Sequence, residues 1–213
     1  MGTRGHATIA EIARWTAIAA PSVYVVMAVV LQLLNSDLNW MQYTLSDLAL
    51  KRYGSIETVA ACLLGVSLLA LSFGLYSNIK STKTAKGFAA ALAVMGPAFF
   101  LVAAFQTSNS DVVTPQVIVR RAAVVTIAVA FPVACLLMSA GLRPDIRWRD
   151  LATYCAVAGV ISILLDLITT FVPHRTQQDI AGLWEKASLA NAVILCQVLG
   201  VRLFVVSRTA GRS

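Results

Sequence analysis

Asp166 stands inside an apolar run, LATYCAVAGVISILLDLITTFVPHR, which extends from Leu151 to Arg175. A carboxylate is costly at that depth in a membrane and marks a functional position by default. On a helix, Cys155, Gly159, Ser162, Asp166, Thr169 and Thr170 recur at spacings of three and four and share one face. Val160, Ile161, Leu164, Leu165, Leu167, Ile168 and Phe171 take the opposite face. Small and polar residues mark helix–helix contact in membranes, so Asp166 is expected to point into a bundle. Its offset from Val172 corresponds to about 9 Å along a helix axis. Asn191 and Thr126 are expected at a similar level, and Pro173 withholds a proton from the Thr169 carbonyl there.

Arg120 and Arg121 open another apolar stretch. Cations are disfavoured at a helix N-terminus by the macrodipole, so acids should offset them. Asp166, Asp47, Asp111 and Glu185 are the candidate partners. One reading is a structural ion pair that pins helices together. The other is a site for an anionic ligand or lipid headgroup, because arginine binds phosphate and carboxylate bidentately. His174 beside acids has the type of a general base, although an interfacial residue explains it as well. Ser46, Asp47 and His174 can be drawn as a triad, but their spacing does not support one. A zinc site needs more nitrogen or sulfur ligands than this side supplies. Nucleotide, haem and serine-hydrolase motifs do not occur, and no cofactor or metal is expected.

These residues must be positioned by apolar helices. Of 213 residues 58% are hydrophobic and only 13% are charged, where a soluble domain carries about 25% charged residues. Mean hydropathy is +0.77. The apolar segments have the length a bilayer crossing needs, and they predict one all-α membrane domain over 1–213. The expected spans are 12–34, 57–76, 87–105, 121–142, 151–172 and 187–206. The first is too long for a cleavable signal and has no small-residue cleavage site after it. Pro21, Pro97 and Pro132 fall inside spans and predict kinks, since membrane helices tolerate proline where neighbours satisfy the freed carbonyl. No internal repeat supports an inverted-repeat transporter.

Six spans place both termini on one side. Eleven basic residues then fall on the side of the termini and six on the other, so the termini are expected in the cytoplasm of a cell membrane. Asp37, Asp47, Glu57, Asp111, Asp179 and Glu185 gather on the outer side. The first outer loop, Asn35 to Ser55, mixes Trp40, Tyr43, Leu45 and Leu48 with polar residues. It predicts a short interfacial helix, capped by Thr44 or Ser46, that plugs the bundle end. The net charge of +7 is concentrated at span ends without a basic, aromatic-interleaved stripe, so no nucleic-acid partner is expected. Cys62, Cys135, Cys155 and Cys196 lie within spans and read as small apolar residues rather than disulfide partners.

Three short stretches recur in a familiar order: Leu45-Ser46-Asp47-Leu48-Ala49 after the first span, Phe105-Gln106-Thr107 leaving the third, and Gly182-Leu183-Trp184-Glu185-Lys186 before the sixth. In that order and spacing, from about Trp15 to Val206, the chain resembles the bacterial and archaeal membrane family called domain of unknown function 998. It differs where Gln106 replaces a frequent proline and where Arg120-Arg121 replace a frequent histidine. The resemblance implies six helices and brings no known activity. The leading expectation is a non-enzymatic multi-pass protein amid membrane lipids. Its outer polar cluster would bind a lipid headgroup, a small anion or a partner subunit, in an oligomer or complex. The alternatives are a membrane-embedded enzyme acting on a lipid or isoprenoid, with Asp166 or Glu185 as acid/base and Arg121 as anion clamp, or a proton-coupled transporter using Asp166.

Overall fold

A computed structural model describes residues 3–79, 83–106, 114–171 and 174–210, with side chains except at 3–14, 85, 169–171, 174–179 and 207–210. Among the described residues the chain is helical, without strands. The helices are α1 (Thr3–Leu34), α2 (Leu45–Leu48), α3 (Ser55–Asn78), α4 (Lys83–Ala104), α5 (Pro115–Leu142), α6 (Arg149–Phe171) and α7 (His174–Ala210). Six of them are long and apolar enough to cross a membrane, α2 being the exception.

Local sequence explains several boundaries. Thr44 and Asp47 form a reciprocal capping box: each side chain accepts the other's backbone N–H at 3.0 Å. Thr114 caps α5 through the Val117 N–H, with Pro115 at the first position, where its missing proton costs nothing. α1, α4 and α5 continue through Pro21, Pro97 and Pro132. α7 begins well before the expected position 187 and runs for 37 residues. Its polar first turns contain Gln178, Ala181, Leu183, Glu185 and Lys186, which are good helix formers and need no membrane to stay helical.

The long helices pack in chain order, α1 on α3, α3 on α4, and so on to α7, which packs back on α1. α3 also touches α7 across this ring. Glycine permits close crossings: a Cβ on Gly65 of α3 would stand 2.9 Å from the Gly96 carbonyl oxygen of α4, and one on Gly200 of α7 would stand 2.7 Å from the Ala17 carbonyl oxygen of α1. A large apolar cluster includes Leu71, Leu75, Phe88, Met138, Leu142, Trp148 and Leu199. A second one joins Tyr24, Leu31, Leu64 and Val193 to Leu45 and Leu48 of α2. Burying the two leucines contributes about 1.5–3 kcal/mol each against leaving them exposed, so α2 is a plug set into the bundle.

Val26, Leu33, Val125 and Val129 are all more than half exposed, on the outside of the ring. Water would penalise so much outward apolar surface, and lipid would cover it. Away from α2, the bundle end is fastened by charge. Arg147 holds Asp145 with two hydrogen bonds, of 3.1 and 2.9 Å, and its Nη2 also reaches the Asn78 carbonyl at the end of α3. Asp145 raises the Arg147 guanidinium above its ordinary pKa. Arg202 of α7 in turn donates to the Arg147 carbonyl at 2.9 Å.

Candidate functional site

The other end of the bundle carries the polar network, and it is built on α7. Gly182 and Leu183 donate their backbone N–H groups to the carbonyls of Gln42 and Met41, at 3.2 and 3.0 Å. The loop before α2 therefore lies directly on the α7 backbone. That approach requires glycine, since a Cβ on residue 182 would come 2.3 Å from the Tyr43 carbonyl oxygen. Lys186 then uses all three ammonium protons, on Gln32 Oε1 (3.0 Å), the Trp40 carbonyl (2.6 Å) and the Tyr43 carbonyl (3.0 Å). Glu185 accepts the Leu45 N–H at 2.8 Å. That proton opens α2 and has no acceptor within the helix, so a carboxylate is its natural partner.

Beneath α2 lies a second tier. Tyr24, 3% exposed on α1, donates to Glu57 Oε1 of α3 at 3.5 Å. The other Glu57 oxygen is buried and finds no hydrogen-bond partner among the described residues. Arg120 of α5 is 9% exposed and within electrostatic reach of both Glu57 and Glu185. Those two carboxylates also sense each other. The Gln106 amide donates to the Thr58 hydroxyl next to Glu57. Trp184 Nε1 is a further buried group with no hydrogen-bond partner among the described residues.

The expected site residues divide into three groups. Glu185 and Arg120 lie in the network, while Asp47 serves its own helix cap just above it. Arg121 points outward and is exposed: one position along a helix is a turn of about 100°, and Arg120 takes the inward direction with Val117 and Ala123. Asn191 corrects the expectation of a shared level with Asp166. Its amide donates to the Ala158 carbonyl at 2.9 Å, about 12 Å along α6 from Asp166 at the helical rise. Thr126 bonds back to the Ala122 carbonyl of its own helix at 2.8 Å. Asp166 is half-buried, and its face behaves as expected, with Cys155, Gly159 and Ser162 buried and Val160, Ile161, Leu164 and Leu167 exposed. Asp111, Pro173 and the side chains of His174, Thr169 and Thr170 lie outside the described residues.

Tyr24, Glu57 and Lys186 carry the network without having been singled out as site residues in the sequence. A signal existed for two of them. Tyr24 repeats at helical spacing with the buried Ala17, Ala20 and Leu31, and Glu57 repeats likewise with Ala60, Leu64 and Leu68. Lys186 had none, since its acceptors are backbone carbonyls of a distant loop.

Chemically, the second tier combines one buried cation with two carboxylates and a phenol. Such a set can hold an ammonium and a phosphate together, and no serine, cysteine or histidine is among its members. Among the described residues, no three His, Cys, Asp or Glu side chains gather as metal ligands.

The stretches around Leu45, Gln106 and Gly182 thus converge at one bundle end. Among curated proteins and solved structures, nothing matches the chain. A family model described as Protein of unknown function (DUF998) matches residues 17–202, a range containing every member of the network. The chain belongs to that family, as a multi-pass membrane protein with six apolar helices.

Proposed function

We propose that the α2 end faces outward from a cell membrane, with both termini in the cytoplasm, and that its second tier binds the zwitterionic headgroup of a membrane lipid. Eleven basic residues on the side of the termini against six support the orientation. In that frame α2, flanked by the exposed Trp40 and Tyr53, lies at the outer interface. The observation that carries the headgroup reading is the buried Glu57 oxygen, which has no hydrogen-bond partner among the described residues and lies within electrostatic reach of the buried Arg120. A phosphate alone would meet two carboxylates around one arginine. A headgroup that adds its own ammonium answers Glu57 and presents its phosphate to Arg120. The protein is then a lipid-binding membrane protein.

In this reading the headgroup enters beneath α2, which has to lift from its contact with Glu185 of α7. The test is native mass spectrometry of the protein purified in mild detergent and offered phosphatidylethanolamine or phosphatidylglycerol. The part of the retention that depends on Glu57 should favour phosphatidylethanolamine. Glu57→Gln should lower that retention about tenfold, as expected for one charge-assisted hydrogen bond. Unchanged phosphatidylethanolamine retention in Glu57→Gln, or an equal loss of both lipids, would sink the reading.

A further inference from the structure

A second feature lies at the opposite end of the bundle and involves none of the residues above. α3 and α4 leave between them an open apolar groove of about 380 Å³. Its α3 wall is Leu69, Phe73 and Tyr76, of which Phe73 and Tyr76 are at least half exposed. Its α4 wall is Ala89, Ala90 and Ala93, and the space exists because alanines stand opposite large side chains. The Ser72 hydroxyl within it already donates to the Ala89 carbonyl at 2.6 Å, which leaves the floor apolar. Lys86 lines the groove where the apolar part of α4 begins.

We infer that this groove holds one acyl chain of an anionic glycerophospholipid, with the phosphate against Lys86 and the Tyr76 hydroxyl. From Lys86 to Ala93 the groove follows α4 for about 10 Å, two turns of helical rise. This direction is the one an acyl chain takes from the headgroup layer into the bilayer. Charge complementarity selects the lipid. The first turn of α4 contains Lys83 and no acid, so basic side chains sit where the helix macrodipole itself favours an anion. The phosphate answers these lysines at the positive end of the helix macrodipole. A zwitterionic lipid would fill the groove equally well with its chain but would gain less at its head.

The probes are phosphatidylglycerol and phosphatidylcholine of matched chains, added to the delipidated full-length protein and read by native mass spectrometry. Phosphatidylglycerol should be favoured, and Lys86→Gln should reduce that preference about fivefold, the contribution of one basic residue at a membrane surface. Ala93→Phe, which fills the groove, should abolish retention of both lipids at this site. Ala90→Leu is the milder filling variant and should weaken both should Ala93→Phe not fold. Glu57→Gln should leave phosphatidylglycerol retention unchanged, which separates this site from the α2 end. An unaltered preference in Lys86→Gln, or full retention in a folded groove-filling variant, would overturn the assignment.

Discussion

The Glu185 carboxylate accepts a 2.8 Å hydrogen bond from the Leu45 amide, joining positions 140 residues apart. It links the stretch before the last span to the plug after the first one. Lys186, next in sequence, binds the loop leading into the same plug. The two residues divide the work by charge, the acid taking an amide proton and the lysine taking carbonyl oxygens.

Removing the acceptor should therefore free the plug. Glu185→Ala leaves the Leu45 N–H without its partner at a cost of about 1.5–3 kcal/mol, the range for hydrogen bonds to charged groups. Glu185→Gln keeps an oxygen acceptor and should cost less. Hydrogen exchange of the amides from Thr44 to Ala49 in detergent-purified protein should accelerate in the alanine variant and much less in the glutamine variant. Equal exchange in all three proteins would mean that Leu45 and Leu48 packing alone holds α2.

Gly182 tests the same docking from the backbone side. An alanine methyl would stand 2.3 Å from the Tyr43 carbonyl oxygen and 2.9 Å from that of Trp40, and neither backbone atom can swing aside. The loop must lift, which breaks its bonds to the Gly182 and Leu183 amides. Gly182→Ala should destabilise the protein by about 1–3 kcal/mol, the usual cost of overpacking, visible as a lower Tm. Protease sensitivity should rise between Asn39 and Ala49, with no new cleavage in the turn around Arg147.

Hydropathy made the six apolar helices legible, because membrane spans need little more than length and composition. The inward face of α6 was legible too, as the burial of Cys155, Gly159 and Ser162 bears out. Two kinds of information were missing. The first is rotation: choosing Arg120 over Arg121 needs the helix phase to within one residue, and apolar neighbours on both sides blur that phase. The second is long-range pairing with backbone. Lys186 on the Trp40 carbonyl, or Asn191 on the Ala158 carbonyl, leaves no trace in residue type at the accepting position. The polar beginning of α7 lay outside the expected span because it is not apolar, although its helix propensity is good.

The two arginines give a direct contrast. Arg120→Gln removes the buried cation that Glu57 and Glu185 share. Breaking a buried charge set on one side costs about 3–5 kcal/mol, because the remaining charge is left uncompensated. Arg121→Gln, on the exposed side of α5, should stay within about 0.5 kcal/mol of the wild type. Thermal unfolding in one detergent should separate the two variants clearly. Adding Glu57→Gln to Arg120→Gln should recover part of the loss, since it removes one of the two acids left without their cation. Equal melting of the two single variants would place the charge compensation elsewhere.

Orientation can be read from two exposed positions at opposite ends of the bundle. Ile146 lies in the turn between α5 and α6 and is 83% exposed. Asp37 lies between α1 and α2 and is also exposed. Cys135, Cys155 and Cys196 are buried, so Cys62→Ala supplies a background that labels weakly. In that background, Asp37→Cys should react with a membrane-impermeant maleimide added to intact cells, and Ile146→Cys should react only after the membrane is opened. The sign rests on eleven basic residues at the Ile146 end and terminal segments against six at the other end. It also fits the placement of Trp40 and Tyr53 around α2, where aromatic rings favour the headgroup layer. The reverse labelling pattern would place the termini outside. The α2 plug would then face the cytoplasm, and any ligand beneath it would have to be drawn from the inner leaflet.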